Sequence, residues 1–374
     1  MVNQKVLFLT LNLFSGNGGI EKVCKVVGKA LSEILKEEGG RLEVLAMHDK
    51  SGDINSIYFN PSLYRSYKGE KFKFTIAGIK KGTESNIVLI SHINLLIIGF
   101  AIKVLSPKTR VVLFAHGIEV WPKLPSWKRK FLNKLDHIVS VSNYTRDVLI
   151  NFQKIDPAKC SVINNCLDPF LPKATSIKKD AGLMNKYNMK ESDVVLLTLS
   201  RLSSRDREKG YEKVLTAMKQ LLPLYPTLKY LVVGKYNEQE KIWLDGIIQQ
   251  LDLQDRVTMT GYVSESDLPA YFGLSDVYVM PSTKEGFGIV FIEAMFYGKP
   301  VIAGNKDGSV DALVNGKFGL LIDPNDQQQL TTGIKRVIDK PHDFIPSQQE
   351  LLKHFGFHKY KSQIKDLLDK VSLN

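Results

Sequence analysis

Between Asp276 and Ala303 the chain spells out one strand, loop, helix and strand in succession. Asp276-Val-Tyr-Val-Met280 alternates β-branched or aromatic residues with others over a strand's length, and Pro281-Ser282 stops it. From Gly288 the run Ile289 to Tyr297 is long enough for about two and a half helical turns. Gly298 suits the left-handed residue just past a helix end, and Pro300 prevents continuation. Val301-Ile302-Ala303 reads as the next strand. This is a βαβ unit of a parallel sheet.

Two acids stand inside it. Glu285 lies in the loop and Glu293 in the helix, eight residues apart. On a continuous helix that separation is about 800°, roughly 80° off register, so the pair cannot stack as a carboxylate dyad on one face. They suit different parts of one ligand. Glu285 falls at the carboxyl end of a strand, where open parallel sheets bind ligands. It also neighbours a helix N-terminus, whose free N–H groups suit an anion. The plainer reading is an ordinary loop acid and a solvent-facing helix acid.

The same alternation runs through the rest of the chain. Ahead of the unit come strands at Val194–Leu199, Tyr230–Val233 and Val257–Thr260, with helices at Tyr211–Leu222, Glu238–Leu251 and Glu265–Phe272. The first half offers strands at Lys5–Leu11, Leu42–Met47, Ile87–Ile90, Val111–Phe114 and Ile138–Val141. Its helix from Ile20 to Lys36 repeats apolar residues every three and four positions. Around Leu167–Tyr187 the periodicity lapses into Asp-Pro, Leu-Pro and Lys-rich sequence, which marks a linker. The expected domains are 1–180 and 181–350, both doubly wound, with helical spacing over Gln348–Leu373 packing back on the first as a segment 351–374. A chain of 374 residues is too long for one typical core.

Charge is uneven. Up to residue 180 there are 27 Lys and Arg against 15 Asp and Glu; the remainder has 24 of each, so the net +12 belongs to the first domain. Trp121 to Lys134 mixes two tryptophans with five cations, a composition that an anionic membrane surface or a phosphorylated acceptor attracts, and that a solvated basic face with tucked tryptophans also explains. No nucleic-acid-binding module is recognisable. The most apolar stretch, Ile87 to Leu105, is interrupted by Ser91, His92, Asn94 and Lys103, which does not fit a membrane span. Met1-Val-Asn-Gln-Lys5 leads directly into a strand without a signal-peptide pattern. The odd set Cys24, Cys160 and Cys166 reads as free thiols in a reducing cytoplasm.

Three further stretches could carry chemistry. Ser15-Gly-Asn-Gly-Gly-Ile-Glu21 opens a helix with glycines but lacks the third glycine of a dinucleotide fingerprint, where Glu21 stands, and no acid ends the second strand. It can still bring backbone N–H groups to a phosphate, or be merely a tight turn. Arg201 and Lys209, in the loop after Val194–Leu199, can neutralise a diphosphate, with Arg205 and Arg207 as competitors for that role. His116, at a strand's carboxyl end, can hydrogen-bond a hydroxyl or stabilise developing charge, and His92 is a weaker counterpart. No cluster has metal-ligand spacing.

These motifs together resemble the retaining glycosyltransferases of glycosyltransferase family 4. The most specific part is Glu285-Gly-Phe-Gly-Ile-Val-Phe-Ile-Glu293, similar to the family's E-x7-E signature, followed by Gly298-Lys-Pro-Val-Ile302. Gly18-Gly19-Ile-Glu21, His116-Gly117, Val162 to Asp168, Arg201 with Lys209-Gly210, and Val257–Val263 add to it. Asn164-Asn165-Cys166-Leu167-Asp168 departs from the usual Pro-Asn-Gly-Val-Asp, and Asp307-Gly-Ser-Val-Asp311 from Gly-Gly-x-x-Glu.

The resemblance implies an α/β protein of the GT-B fold: two Rossmann-like domains facing across a cleft, with a C-terminal helix that crosses back to the first. It implies that Arg201 and Lys209 hold the donor diphosphate and Glu293 the ribose hydroxyls. Glu285 and the Gly286-Phe287-Gly288-Ile289 backbone would grip the sugar, Gly18 and Gly19 would approach from the first domain, the Tyr262-Val263 backbone would meet the base, and His116 would touch the sugar. Neither a cofactor nor a metal is implied; the nucleotide sugar is a substrate. UDP-glucose is the first donor expected and GDP-mannose the second, for transfer to a glycan or lipid-linked acceptor in polysaccharide biosynthesis at the cytoplasmic face of the membrane. A nucleotide-sugar epimerase, a phosphorylase-like enzyme and a non-catalytic scaffold are the rival readings.

Overall fold

The computed structural model describes residues 4–16, 18–50, 52–172 and 179–373, in two compact units. In the first, β1 (Lys5–Thr10), α1 (Gly19–Glu37), β2 (Arg41–Ala46) and β3 (Tyr64–Ser66) are followed by α2 (Lys71–Thr83) and β4 (Ile87–Ile90). Next come α3 (Leu96–Leu105), β5 (Arg110–Ala115), α4 (Ser126–Leu132), β6 (His137–Ser140), α5 (Asn143–Asp147) and β7 (Cys160–Val162). The second unit begins with α6 (Ala181–Lys186), β8 (Val194–Leu199), α7 (Tyr211–Leu221), β9 (Leu228–Val233), α8 (Glu238–Gln250) and β10 (Val257–Gly261). It continues through α9 (Leu268–Leu274), β11 (Val277–Met280), α10 (Ile289–Phe296), β12 (Val301–Gly304) and α11 (Ser309–Ala312). β13 (Leu320–Ile322), α12 (Gln327–Asp339), α13 (Gln348–Phe355) and α14 (Phe357–Leu373) complete the chain.

Both sheets are parallel, in the orders β3-β2-β1-β4-β5-β6-β7 and β10-β9-β8-β11-β12-β13. Each is a doubly wound Rossmann-like sheet, as expected from the βαβ unit at 276–303. β4, β6, β11 and β12 are buried at every residue, so that even β11, which alternates in sequence, turns neither face to solvent, as in a parallel sheet covered on both sides. Leu7, Leu9, Val88, Ile90, Val111 and Leu113 turn to one face of the first sheet, where they meet Phe74 of α2 and Ile98 and Ile102 of α3.

The expected division at 180/181 shifts. The first unit runs to Pro169 and takes in His354 onward, while Phe170–Lys353 form the second. Local bonds explain this: Leu167 donates its N–H to Phe355, whereas the Pro172 carbonyl accepts from Tyr297 and Lys179 pairs with Asp276, both in the second unit. Residues 173–178 of the proposed linker lie outside the described residues.

The C-terminal helical stretch is broken at Gly356, so α13 starts on the second unit, through Gln348 to Phe296 and Glu350 to Lys317, and α14 packs on α1. Lys361 of α14 reaches Glu33 and Glu37 at 3.0 and 2.6 Å, above buried Tyr360, Ile364, Leu367 and Leu368. Ile364→Ala should therefore lower stability by about 2–5 kcal/mol. Urea unfolding checks this, and an unshifted midpoint would refute the docking of α14.

Candidate functional site

A parallel sheet that grows outward in both directions from its first strand leaves the loops of two neighbouring strands side by side at the reversal. In the second unit those strands are β8 and β11, with β12 beside β11. The topology thus brings together Lys209 from the β8 loop, Glu285 from the β11 loop and Asp307 from the β12 loop. Lys209 Nζ lies 2.5 Å from Glu285 Oε2 and 3.2 Å from the Lys284 carbonyl, with both charged side chains largely buried. The loops are joined again by the Thr283 N–H, which donates to the Glu208 carbonyl at 2.8 Å, and by an ion pair between the Lys284 and Glu208 side chains. Gly210 has φ +77°, and a Cβ there would meet the Pro281 carbonyl at 2.6 Å.

Asp307 is the residue that sequence reasoning missed. Its buried Oδ2 accepts from Ser282 Oγ and from the Glu285 N–H, each at 2.7 Å, and its Oδ1 accepts from the Ser309 N–H at 2.9 Å. Gly308 donates to the Glu285 carbonyl, and a Cβ on it would lie 2.0 Å from the Gly286 carbonyl. Asp307-Gly308 therefore holds the Glu285–Gly286 turn in place from behind. The departure at Asp307 from the family's first glycine was the available signal. Burial pushes its carboxyl up to about 6 against the serine hydrogen bonds, and the Glu285 charge adds to the rise.

Glu293 is only 3% exposed, so the solvent-facing reading fails. It sits in α10, which opens at Gly288 with φ +86° and otherwise buries Phe291, Ile292, Ala294 and Met295. Arg201, by contrast, is 76% exposed and bidentate on Asp206, at 2.9 and 3.0 Å. Burial raises the Asp206 carboxyl, but Arg201 and Ser203 outweigh it and hold it below its ordinary value. Arg205 is on the exposed surface.

Arg207 does not fit the role of substitute phosphate ligand. Its guanidinium grips the buried Glu240 at 3.0–3.2 Å and lies 3.6 Å over the Trp243 ring, and Tyr211 donates to the same carboxylate at 2.6 Å. A carboxylate buried that deeply needs its cation. Tyr262 is exposed and Val263 half-buried after edge strand β10, two strands out from β8.

In the first unit the reversal falls between β1 and β4. Gly18 caps α1 with the Glu21 side chain folded over it, so that a Cβ on Gly18 would lie 2.4 Å from Glu21 Oε2, whereas Gly19 opens onto space. Asn17 of this loop is outside the described residues. The expectation that no acid serves the second strand needs correcting. Asp49, just past β2, accepts from the N–H groups of Leu13, Phe14 and Ser15, from Ser15 Oγ and from Tyr64. Burial raises its carboxyl, but these hydrogen bonds win and keep it below its ordinary value. Both of its oxygens are engaged by the loop itself, which it shapes.

His116 follows β5. Its Nε2 is 2.8 Å from the Ser91 carbonyl, so Nε2 carries the proton, and its inaccessible Nδ1 has no partner among the described residues. Burial pushes the ring down to about 4. The His116 N–H is held by Glu119 Oε1 at 2.6 Å. His92 accepts from the Asn94 N–H at 3.0 Å, and burial lowers it too.

Both units have counterparts among known proteins. A family model described as "Glycosyl transferases group 1" matches residues 181–369, and one described as "Glycosyltransferase Family 4" matches 17–169. A GDP-mannose-dependent alpha-(1-6)-phosphatidylinositol monomannoside mannosyltransferase of Mycolicibacterium smegmatis is 28% identical over 250 residues, 62% of each chain. Its counterpart in Mycobacterium tuberculosis is 30% identical over 246 residues, 63% of this chain and 62% of that one. The matches thus span 62% of the length of these relatives. Anabaena HepE, in a crystal structure with UDP and glucose, has a TM-score of 0.79 and 20% identity, covering 98% of this chain and 100% of that one.

Asp307 offers a test that needs no ligand. Its carboxyl takes up a proton near pH 6 in the fold and near 3.8 ordinarily, so ionisation costs the folded state stability. The cost is absent below the ordinary value and complete above pH 6, where it reaches up to about 3 kcal/mol. Asp307→Asn keeps an acceptor oxygen but does not titrate. The stability of wild type relative to this variant should fall between pH 4 and pH 7.5 in urea melts, and a flat difference would overturn the assignment.

Proposed function

We propose that this chain, which belongs to the group 1, family 4 glycosyltransferases, moves a hexose from a nucleoside-diphosphate sugar to a hydroxyl of a glycan or lipid-linked acceptor, with retained anomeric configuration and no metal. The observation that carries the reading is the Lys209–Glu285 pair at the β8/β11 reversal. A donor brings an anionic diphosphate and a hydroxyl-bearing sugar in one molecule. The diphosphate competes with Glu285 for Lys209, and the released carboxylate accepts the sugar hydroxyls. One ligand thus satisfies both charges that otherwise satisfy each other.

The remaining roles follow from position. Arg201, exposed and bidentate on the neighbouring loop acid Asp206, swings to the diphosphate. The N–H groups of Gly286 to Ile289 lie at the α10 N-terminus and suit the sugar and the phosphate. Buried Glu293 takes the ribose hydroxyls, and the Tyr262-Val263 backbone takes the base. Gly18 and Gly19, in the loop after β1, suit a phosphate through their backbone N–H groups. His116, neutral at physiological pH, touches the sugar.

In the reaction the bond from the anomeric carbon to the phosphate oxygen breaks, and the acceptor oxygen bonds to that carbon on the same face. The acceptor proton passes to the departing phosphate oxygen, so no side chain need act as base. Lys209, Arg201 and the α10 N-terminus stabilise the charge that gathers on the diphosphate.

Two donors have support. UDP-glucose is favoured by the fold likeness to HepE, whose crystals hold UDP and glucose. GDP-mannose is favoured by the higher sequence identity of the mycobacterial relatives, whose names state that donor. Thermal-shift screening of UDP-, GDP- and ADP-sugars separates them, because a ligand at about 100 times its Kd adds about 2.7 kcal/mol. A chain that responds to no nucleotide sugar would not have this function. Incubation with donor alone distinguishes an epimerase, which would yield an isomeric nucleotide sugar.

Glu285→Ala and Lys209→Ala should each lower turnover by about 100-fold or more while the fold persists; near-normal turnover in either would sink the proposal. Glu285→Gln separates the two halves of the site. With its competitor for Lys209 neutralised, it should bind nucleoside diphosphate more tightly than wild type in calorimetry, yet gain nothing further from an attached sugar. Weaker diphosphate binding would show that the pair does not exchange partners.

A further inference from the structure

One helix of the first unit lacks cover. The sequence of α3, Leu-Ile-Ile-Gly-Phe-Ala-Ile-Lys-Val-Leu, is apolar on nearly every side, and a helix apolar all round belongs in a core or in lipid. Its inner side is packed: Ile98 and Ile102 are buried in the core beneath α2, lodged beside Gly78 and Gly82. Lys103 turns aside to Asp136. Val104 and Leu105 nevertheless stand 62% and 66% exposed, with Ile97 in the same row.

The neighbouring helices extend this strip. On α2, Phe72 and Ile76 are exposed one turn apart, Phe72 by 78%. On α4, Phe131 stacks on Phe100 of α3 with ring centroids 3.7 Å apart, and exposed Trp127 packs its edge against Phe131. Buried residues of all three helices join a single core cluster on one face of the sheet, so their outer sides point the same way. In the second unit the exposed large apolar residues Phe170, Leu224, Ile242, Tyr262 and Leu352 are scattered along the chain, no two on one element. Contiguity distinguishes a patch from ordinary surface.

Charge selects the occupant. No Asp or Glu occurs within α2, α3 or α4, which together carry eight Lys and Arg. Glu70, Glu43 and Asp136 offset Lys73, Lys81 and Lys103, and a second copy of the chain would still bring the remaining excess of cations face to face. We infer that α2, α3 and α4 dock on an anionic lipid bilayer, with Phe72, Ile97, Val104 and Leu105 at the acyl boundary and the lysines among the headgroups. The attachment is peripheral, since no helix among the described residues is long and apolar enough to cross a membrane. α3 follows the β4 loop that carries His92, and α4 follows the β5 loop that carries His116. Docking here presents that edge of the sheet to the headgroups, which deepens the proposed reading of a lipid-linked acceptor and rests on it.

Flotation of the full chain with phosphatidylcholine vesicles, with and without phosphatidylglycerol to give an anionic surface, tests the inference. Binding should need the anionic lipid and fall with salt. Val104→Ser with Leu105→Ser should lower partitioning by about tenfold or more. Lys128→Gln and Lys130→Gln should each lower it by about fivefold, while Ile242→Ser should leave it unchanged. Donor-induced thermal shifts retained by every variant certify the fold and keep the transferase reading separate. Absence of binding to anionic vesicles, equal binding by the serine and glutamine variants, or a wild-type dimer that the serine variant dissolves in sedimentation would each overturn the docking surface.

Discussion

Burying a lysine and a glutamate at one sheet edge is unfavourable for either alone, because each loses its hydration in a medium that screens poorly. Lys209 and Glu285 tolerate it by contact at 2.5 Å, and much of the second unit serves to maintain that contact. β8 and β11 run side by side because the winding reverses there, the 207–209 turn is bonded to 283–285, and Gly210 lets the two loops approach. A pair bound mainly to each other, with one lysine proton on the Lys284 carbonyl, is a pair that a ligand with the complementary charge and hydroxyls can separate.

Behind the pair are two supports of different kinds. Asp307 binds the Glu285 N–H and Ser282 with one oxygen and Ser309 with the other, tying the β11 and β12 loops into a single block. Glu240 holds Arg207 and Tyr211 from α8, which anchors the turn that presents Lys209. Both are acids enclosed among donors, so their hydrogen bonds set backbone geometry rather than offering a free carboxylate to solvent. The first unit repeats the principle with Asp49, whose oxygens gather the Leu13–Ser15 backbone and shape the glycine loop.

The alternation of strands and helices was legible because parallel strands buried on both faces must be apolar throughout and their crossover helices amphipathic. β4 and β8 begin and end where periodicity puts them, and β11 within one residue of it. The short strands β3, β7 and β13 escaped notice, since three residues carry no period. The break at Gly356 was missed because one residue barely perturbs helical spacing, and the unit boundary because it depends on side chains such as Tyr297 and Lys179 reaching back to the chain.

By itself the sequence determined the family and the doubly wound architecture and singled out Lys209, Glu285 and Glu293, though not Asp307, because glycine turns, strand lengths and the eight-residue acid spacing are local properties. Only the tertiary structure decided how those charges are used. Arg201, Arg205, Arg207 and Lys209 are chemically similar letters in one loop, yet Lys209 meets Glu285, Arg207 is held by Glu240 and Arg201 remains on the surface. Which cation serves which acid depends on groups at the far ends of other strands and helices, and the energy of a charge depends on what surrounds it rather than on what precedes it in the chain.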